Sequence, residues 1–144
     1  MSRRIYGPGP QLKVWFRALA DRTRLRLLNL MRDQELCVCY FVQILQTTQP
    51  KISRHLAYLR RAGIVAARRQ GTWMHYRIVV PQDARAAGIL KEVLASLGDD
   101  REMQRDLVRL NTACCAPQKF VNLLDAPLPV KISGHFNEGE PVHE

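Results

Sequence analysis

The stretch from Thr48 to Gly63 constrains this chain more than any other part of it. Thr48 is a good helix-capping residue, Pro50 stands where the first turn tolerates a missing N–H, and Gly63 is a natural stop. A helix running to about Ala62 is therefore predicted. At ~100° per residue, Ile52, Leu56 and Leu59 fall within about 60° of one another, while Lys51, Arg54, Tyr58 and Arg61 gather opposite. So narrow an apolar stripe seats the helix on a core and leaves a basic outer face carrying one aromatic.

The flanking segments supply that core. Leu12, Trp15, Phe16 and Leu19 draw one helical stripe, and Asp21 can cap a second helix, Arg22–Arg32, with Leu25, Leu28 and Met31 inward and Arg22, Arg24, Arg26 and Arg32 outward. The apolar run Leu36–Leu45, which contains Cys37 and Cys39, predicts a short buried third helix, broken by the polar Gln46–Gln49. Beyond Gly63, the stretches Ile64–Arg69 and Trp73–Val79 read as strands of a hairpin turned through Gln70-Gly71-Thr72. A long amphipathic helix follows over about Gln82–Leu97, with Gly88 a weak point inside it. Asp100 caps a further one ending near Cys114-Cys115. Pro117, Pro127, Pro129 and Pro141, with Gly134 and Gly139, mark residues 117–144 as a tail without helical pattern. The fold class expected is mainly α with a β-hairpin: about six helices and a two-stranded wing, a winged helix-turn-helix. It divides into an arm (1–11), a winged helix-turn-helix and dimerisation domain (12–113) and a Cys-pair tail (114–144).

Charge narrows the partner. A chain of 144 residues suits one core, and its net charge of +9 favours a polyanion. Residues 1–80 hold 15 Lys/Arg against 3 Asp/Glu, a net of +12; residues 81–144 hold 7 against 10, a net of −3. Hydrophobic residues, at 47%, are too many for a disordered basic tail, and no apolar run approaches the ~18 residues that span a bilayer. With no secretory-type leader, a cytoplasmic protein without a membrane partner is expected.

A short buried helix, a tight polar turn and a basic-faced second helix suit a helix-turn-helix that lays its second helix in the DNA major groove. Lys51, Arg54 and Arg61 can meet phosphates and guanine edges, Gln49 can pair with adenine, Ser53 and His55 flank the face, and Tyr58 lies on it. The hairpin tip, with Arg69 and Thr72, suits a wing over phosphates or a minor groove. One copy reads too few base pairs for genomic specificity, so a symmetric homodimer on two half-sites of double-stranded operator DNA is expected.

Four strings in order carry a resemblance: ALADRTRLRLL from Ala18, ELCVC from Glu35, QPKISRHL from Gln49 and LRRAG from Leu59. Over about residues 12–97 the chain resembles the ArsR/SmtB family of winged-helix repressors, most closely the arsenic-responsive members. The resemblance implies a homodimer paired through its first and last helices, bound to a palindromic operator and released by a metal or metalloid. It places Gln49, Lys51, Ser53, Arg54 and His55 in the base-reading segment. It also implies that Cys37 and Cys39 capture As(III) or Sb(III) as inducer, with no organic cofactor. The chain departs from the pattern after the second cysteine. Many members have Asp there and some a further cysteine shortly beyond, where this chain has Tyr40, Phe41 and Val42.

Trivalent arsenic favours three sulfurs, and Cys114 and Cys115 are the candidates for the third. That pair can alternatively form its own site for an organoarsenical, or be inert. On a continuous helix, Cys37 and Cys39 point ~200° apart, so joint binding requires the first turn to deform. Other readings stay open: thiol redox or persulfide sensing, a Cd/Zn-responsive repressor using His135 and His143, and, remotely, a thiol-based arsenate reductase. Against the enzyme stand the absence of Cys-x-x-Cys and of any Gly-rich phosphate loop.

Overall fold

The computed structural model describes residues 11–132. In chain order these form α1 (Leu12–Leu19), α2 (Arg22–Leu30), β1 (Gln34–Cys37), α3 (Val38–Leu45), α4 (Gln49–Arg61), β2 (Val65–Gln70), β3 (Trp73–Ile78), α5 (Ala84–Leu97), α6 (Arg101–Cys115) and β4 (Val130–Lys131). Among the described residues, no helix is long and apolar enough to cross a membrane.

The core is built where the apolar stripes converge. Leu27, Leu28, Leu30 and Met31 of α2 and the turn after it, Tyr40, Phe41 and Ile44 of α3, and Ile52, Leu56 and Leu59 of α4 are all fully or almost fully buried. Each such aliphatic side chain contributes ~1.5–3 kcal/mol on leaving water, which is what holds α4 against α3 despite its short stripe. Asp21, Asp83 and Asp100 cap α2, α5 and α6 through their side chains. Thr48 takes the cap position of α4 without a side-chain hydrogen bond. Gly63, at φ 77°, ends α4 in a Schellman arrangement: its N–H donates to the Arg60 carbonyl and that of Ile64 to the Leu59 carbonyl, both at 3.0 Å.

The hairpin is present, and its loop is tighter than expected. Gln70 pairs with Trp73, leaving only Gly71 and Thr72 in the turn, with Gly71 at φ 59° as the first central position of a type II′ turn requires.

One expectation fails. The third helix does not begin at Leu36: Gln34–Cys37 is a strand, paired antiparallel with β3 (Leu36 with Tyr76, Cys37 with His75), and the helix starts at Val38. Four consecutive buried residues leave no polar alternation to betray a strand. The Pro/Gly-containing tail carries no α-helix over residues 117–132, in keeping with its sequence, and adds short elements of its own. After two short 3-10 turns, in which Leu123 is buried, β4 pairs with β1, so the sheet runs β2-β3-β1-β4. The calls on residues 1–10, His135 and His143 lie outside the described residues.

Candidate nucleic-acid interface and thiol site

The outer face of α4 separates into two groups. Gln49, Lys51, Arg54 and Arg61 are exposed; Ser53, His55 and Tyr58 are half-buried. His55 is turned toward α2, its Nδ1 3.4 Å from an Arg24 guanidinium nitrogen and 3.8 Å from an Asp21 carboxylate oxygen. The Tyr58 ring is covered by the Arg24 guanidinium at 4.2 Å, with that of Arg61 at 5.9 Å. His55 and Tyr58 thus brace α4 against α2, and Gln49, Lys51, Arg54 and Arg61 are left to meet a partner. Arg60, missed in the sequence, is exposed on the same helix. Arg69 and Thr72 stand exposed on the wing, whereas Arg68 donates to Glu35 at 2.5 and 3.1 Å, with Arg77 3.9 Å from the same carboxylate.

The arginines of α2 do not form a solvated basic face. Arg26 donates in fork geometry to Asp106 of α6 at 2.8 and 3.0 Å, and the Asp106 carboxylate is completely buried. Arg22 reaches Asp100 and Glu102, Arg24 donates to the carbonyls of Ala18 and Arg17, and Arg32, in the turn after α2, donates to that of Leu94. The acidic half of the chain answers α2, so the charge left for a polyanion is concentrated on α4 and the wing tip.

The thiols were expected to diverge on one helix, and they do not. Cys37 is the extended N-cap of α3 (φ −65°, ψ 144°), so its side chain leaves from the strand while that of Cys39 leaves from the first helical turn. The change of backbone direction brings the sulfurs to 2.8 Å, both nearly buried, with the Cys39 S–H donating to Cys37. That hydrogen bond lowers the Cys37 pKa to about 7, against the opposing pull of burial, and raises that of Cys39. The helix start is therefore already shaped for one soft centre to be held by both sulfurs, and the deformation inferred from helical geometry is unnecessary.

Cys114 and Cys115 end α6. Cys114 is half-buried, its pKa raised by burial and by Cys115, and lines a cleft of about 480 Å³ with Leu107, Leu110, Asn111, Leu128 and Lys131; Cys115 is exposed. The structure gathers two thiol pairs and does not merge them. Among the described residues, no three His, Cys, Asp or Glu side chains are assembled as a metal site. Two buried polar atoms near the first pair have no hydrogen-bond partner: the Tyr40 hydroxyl and the His75 Nε2. Sequence reasoning missed both. The strand register opposite Cys37 would have pointed to His75, but β1 itself was not visible.

Residues 21–67 match the family model described as "Bacterial regulatory protein, arsR family". The arsenic resistance transcriptional regulator ArsR1 of Pseudomonas putida is 51% identical over 82 residues, covering 54% of this chain and 64% of that protein. The arsenical resistance operon repressor of Escherichia coli is 49% identical over 78 residues, covering 54% of this chain and 67% of that protein. The chain thus spans about two thirds of the length of these relatives, and slightly less of the first. Among solved structures, the AntR antimony-specific transcriptional repressor superposes with a TM-score of 0.50 at 33% identity, covering 62% of this chain and 78% of that one. With this order of helices, this wing and these matches, the chain belongs to the ArsR family of bacterial regulatory proteins.

Proposed function

We propose that this protein is a transcriptional repressor that binds a palindromic operator as a homodimer and is released when Cys37 and Cys39 bind trivalent arsenic or antimony. The observation that carries the reading is the buried thiol pair, 2.8 Å apart, at the junction of β1 and α3. The donor set fits a soft metalloid: two sulfurs, one of them ionising near neutral pH, with no hard oxygen ligand between them. Such a centre supplies bonds to thiolate sulfur in exchange for bonds to oxygen. Relatives named for arsenic resistance and a structural neighbour named for antimony support the same chemistry.

The position of the pair gives its occupancy a route to both DNA-contacting parts. Cys37 ends the strand that pairs with β3 of the wing, and Cys39 lies in the first turn of the helix packed on α4. Drawing both sulfurs onto one centre fixes this junction, and a shift there reorients reading helix and wing together. Converting a 1:99 equilibrium to 99:1 needs ~5.5 kcal/mol of differential affinity, which two sites per dimer share. The exposed Leu12 and Phe16, one turn apart on α1, offer an apolar face for subunit pairing.

The test is a gel shift and anisotropy titration on duplex DNA from the region upstream of its own gene. Binding is expected to be dimeric and to weaken steeply with salt; salt-independent or absent binding overturns the DNA reading. Cys37→Ser and Cys39→Ser are expected to bind DNA normally and to resist release by arsenite. Normal release of the double variant moves the sensor to Cys114 and Cys115. A second reading, reversible oxidation of the Cys37–Cys39 pair, is favoured by the same proximity and by the low Cys37 pKa. It predicts release by oxidant and recovery with a thiol reductant, without metalloid.

A further inference from the structure

Glu35 is a carboxylate in a strand that is otherwise shut away from water. All four residues of β1 are buried, and Glu35, 7% exposed, comes two residues before Cys37. Its charge is answered from the wing. Arg68 of β2 donates two hydrogen bonds to one of its oxygens, at 2.5 and 3.1 Å, and Arg77 of β3 lies 3.9 Å from the other. A buried charge persists only where it is paired, and here both partners belong to the hairpin.

Alternation along the strands puts these groups on one face of the sheet. Cys37 stands opposite His75 and His75 opposite Arg68, so the row Cys37, His75, Arg68 crosses β1, β3 and β2. Glu35 and Arg77, each two residues along its strand, share that face. The sheet order is β2-β3-β1-β4, so the backbone of β1 pairs with β3 and β4 and not with β2. Among the described residues, Glu35–Arg68 is the one ion pair that spans from the thiol strand to β2. Arg68 is followed by Arg69, the exposed cation of the wing tip.

Building on the function proposed above, we infer that Glu35 is the positioning residue that carries occupancy of the thiol pair to the wing. Its carboxylate latches β1 to Arg68 and Arg77 while the sulfurs are free, and the latch opens when Cys37 and Cys39 are drawn onto one centre and the end of β1 shifts. A contact contributes to release only if it differs between the two states; one that holds equally in both adds stability alone. Short, charge-assisted hydrogen bonds suit such a role, because a shift of about 1 Å takes them from optimal length to the edge of bonding range. The ladder between β1 and β3 passes a movement to the near strand of the hairpin. Glu35 passes it directly to the far strand, which bears Arg69.

The experiment reads the wing without DNA. Trp73 pairs with Gln70 beside the hairpin turn, and the chain's other tryptophan, Trp15, is buried in α1. In full-length protein carrying Trp15→Phe, arsenite is titrated while Trp73 emission is recorded, and arsenite binding is measured separately by calorimetry. This parent is expected to bind arsenite with a change in Trp73 emission. Adding Glu35→Gln is expected to leave arsenite affinity unchanged and to remove most of the emission change. In the otherwise wild-type chain, the factor by which arsenite weakens operator binding is expected to fall about tenfold with Glu35→Gln. Arg68→Gln, which leaves β1 untouched, is expected to give the same two losses, and the double variant no more than either single one. A full Trp73 response in Glu35→Gln or in Arg68→Gln overturns the latch and leaves the sensor intact. So does a loss of operator affinity that is equal with and without arsenite, which marks Glu35 as a stabiliser of the wing and nothing more. A parent that binds no arsenite overturns the sensor itself, and the latch with it.

Discussion

Helices α2 and α4 are both rich in arginine, and in the sequence they look like two basic faces of one DNA-binding half. In the fold they have opposite fates. The α2 arginines are engaged by Asp100, Glu102 and Asp106 of α6 and by backbone carbonyls, whereas Lys51, Arg54, Arg60 and Arg61 of α4 have no carboxylate partner among the described residues. A charge run is thus not a binding surface until the rest of the chain has taken its share. Part of the segregation of +12 from −3 along the sequence is a complementarity within the molecule, at Arg22 and Arg26, and the exposed cations of α4 and the hairpin tip lie outside it.

The sharpest way to break this comparison is Arg26→Ala. It strands the Asp106 carboxylate, completely buried, with Arg109 at 4.0 Å as its remaining cation among the described residues. Removing one member of a buried pair costs ~3–5 kcal/mol, and a melting temperature lower by roughly 10 °C is expected by thermal unfolding. The folded fraction should keep its DNA affinity. Arg26→Met combined with Asp106→Leu is expected to recover most of the loss, since an apolar pair carries no desolvation penalty. If Arg26→Ala leaves stability unchanged but weakens DNA binding, α2 belongs to the interface after all.

Arg54→Ala is the converse. Arg54 is exposed, and among the described residues its one side-chain hydrogen bond is a 3.4 Å contact to the Pro50 carbonyl. Its loss is expected to leave the melting temperature alone and to cost ~1–3 kcal/mol in specific DNA affinity, measured by anisotropy on the operator. Unchanged affinity and sequence preference would refute the assigned face.

The wing holds both situations within two residues. Arg69 is exposed, while Arg68 is held on Glu35. Arg69→Ala is expected to flatten the plot of log affinity against log salt by about 1 per protomer, as the loss of one phosphate contact does. Arg68→Ala should change that slope less. Equal changes from the two substitutions would show that the Glu35 pairing yields to DNA.

These contrasts also mark how far the sequence could be read. The α4 register was legible because Ile52, Leu56 and Leu59 repeat at helical spacing and Gly63 ends the pattern where only a positive φ will do. The fate of Arg22 and Arg26 was not, because their partners lie about 80 residues away and no local period encodes them. Cys37 and Cys39 were recognisable as a pair, but their convergence depends on a four-residue strand buried throughout, which shows no alternation of polar and apolar residues. Residues 117–132 were legible only as lacking an α-helical pattern. Proline excludes a helix without excluding 3-10 turns or a short edge strand, so β4 completes the sheet from what reads as tail.

His75 supplies the finest test of the answered side of the wing. It is buried opposite Cys37, and burial followed by the charge of Arg68 lowers its pKa, with Glu35 opposing. As pH falls through the ordinary histidine value of 6.5, the unfolded chain takes up a proton that the folded chain refuses. Stability is therefore present in full above 6.5 and is lost progressively below it, until the folded imidazole also titrates. Cys37 acts over a higher window: its contribution, present above 9.0, is lost as pH falls to about 7, so it does not confound the acid limb. Urea midpoints at pH 7 and pH 5.5 are expected to differ more for the wild type than for His75→Gln, which cannot protonate. Arg68→Ala, by withdrawing the nearby positive charge, should shrink the difference in the same direction and by less. If His75→Gln keeps the full acid dependence, the titrating group lies elsewhere, and the cation held over the wing sheet is not what His75 feels.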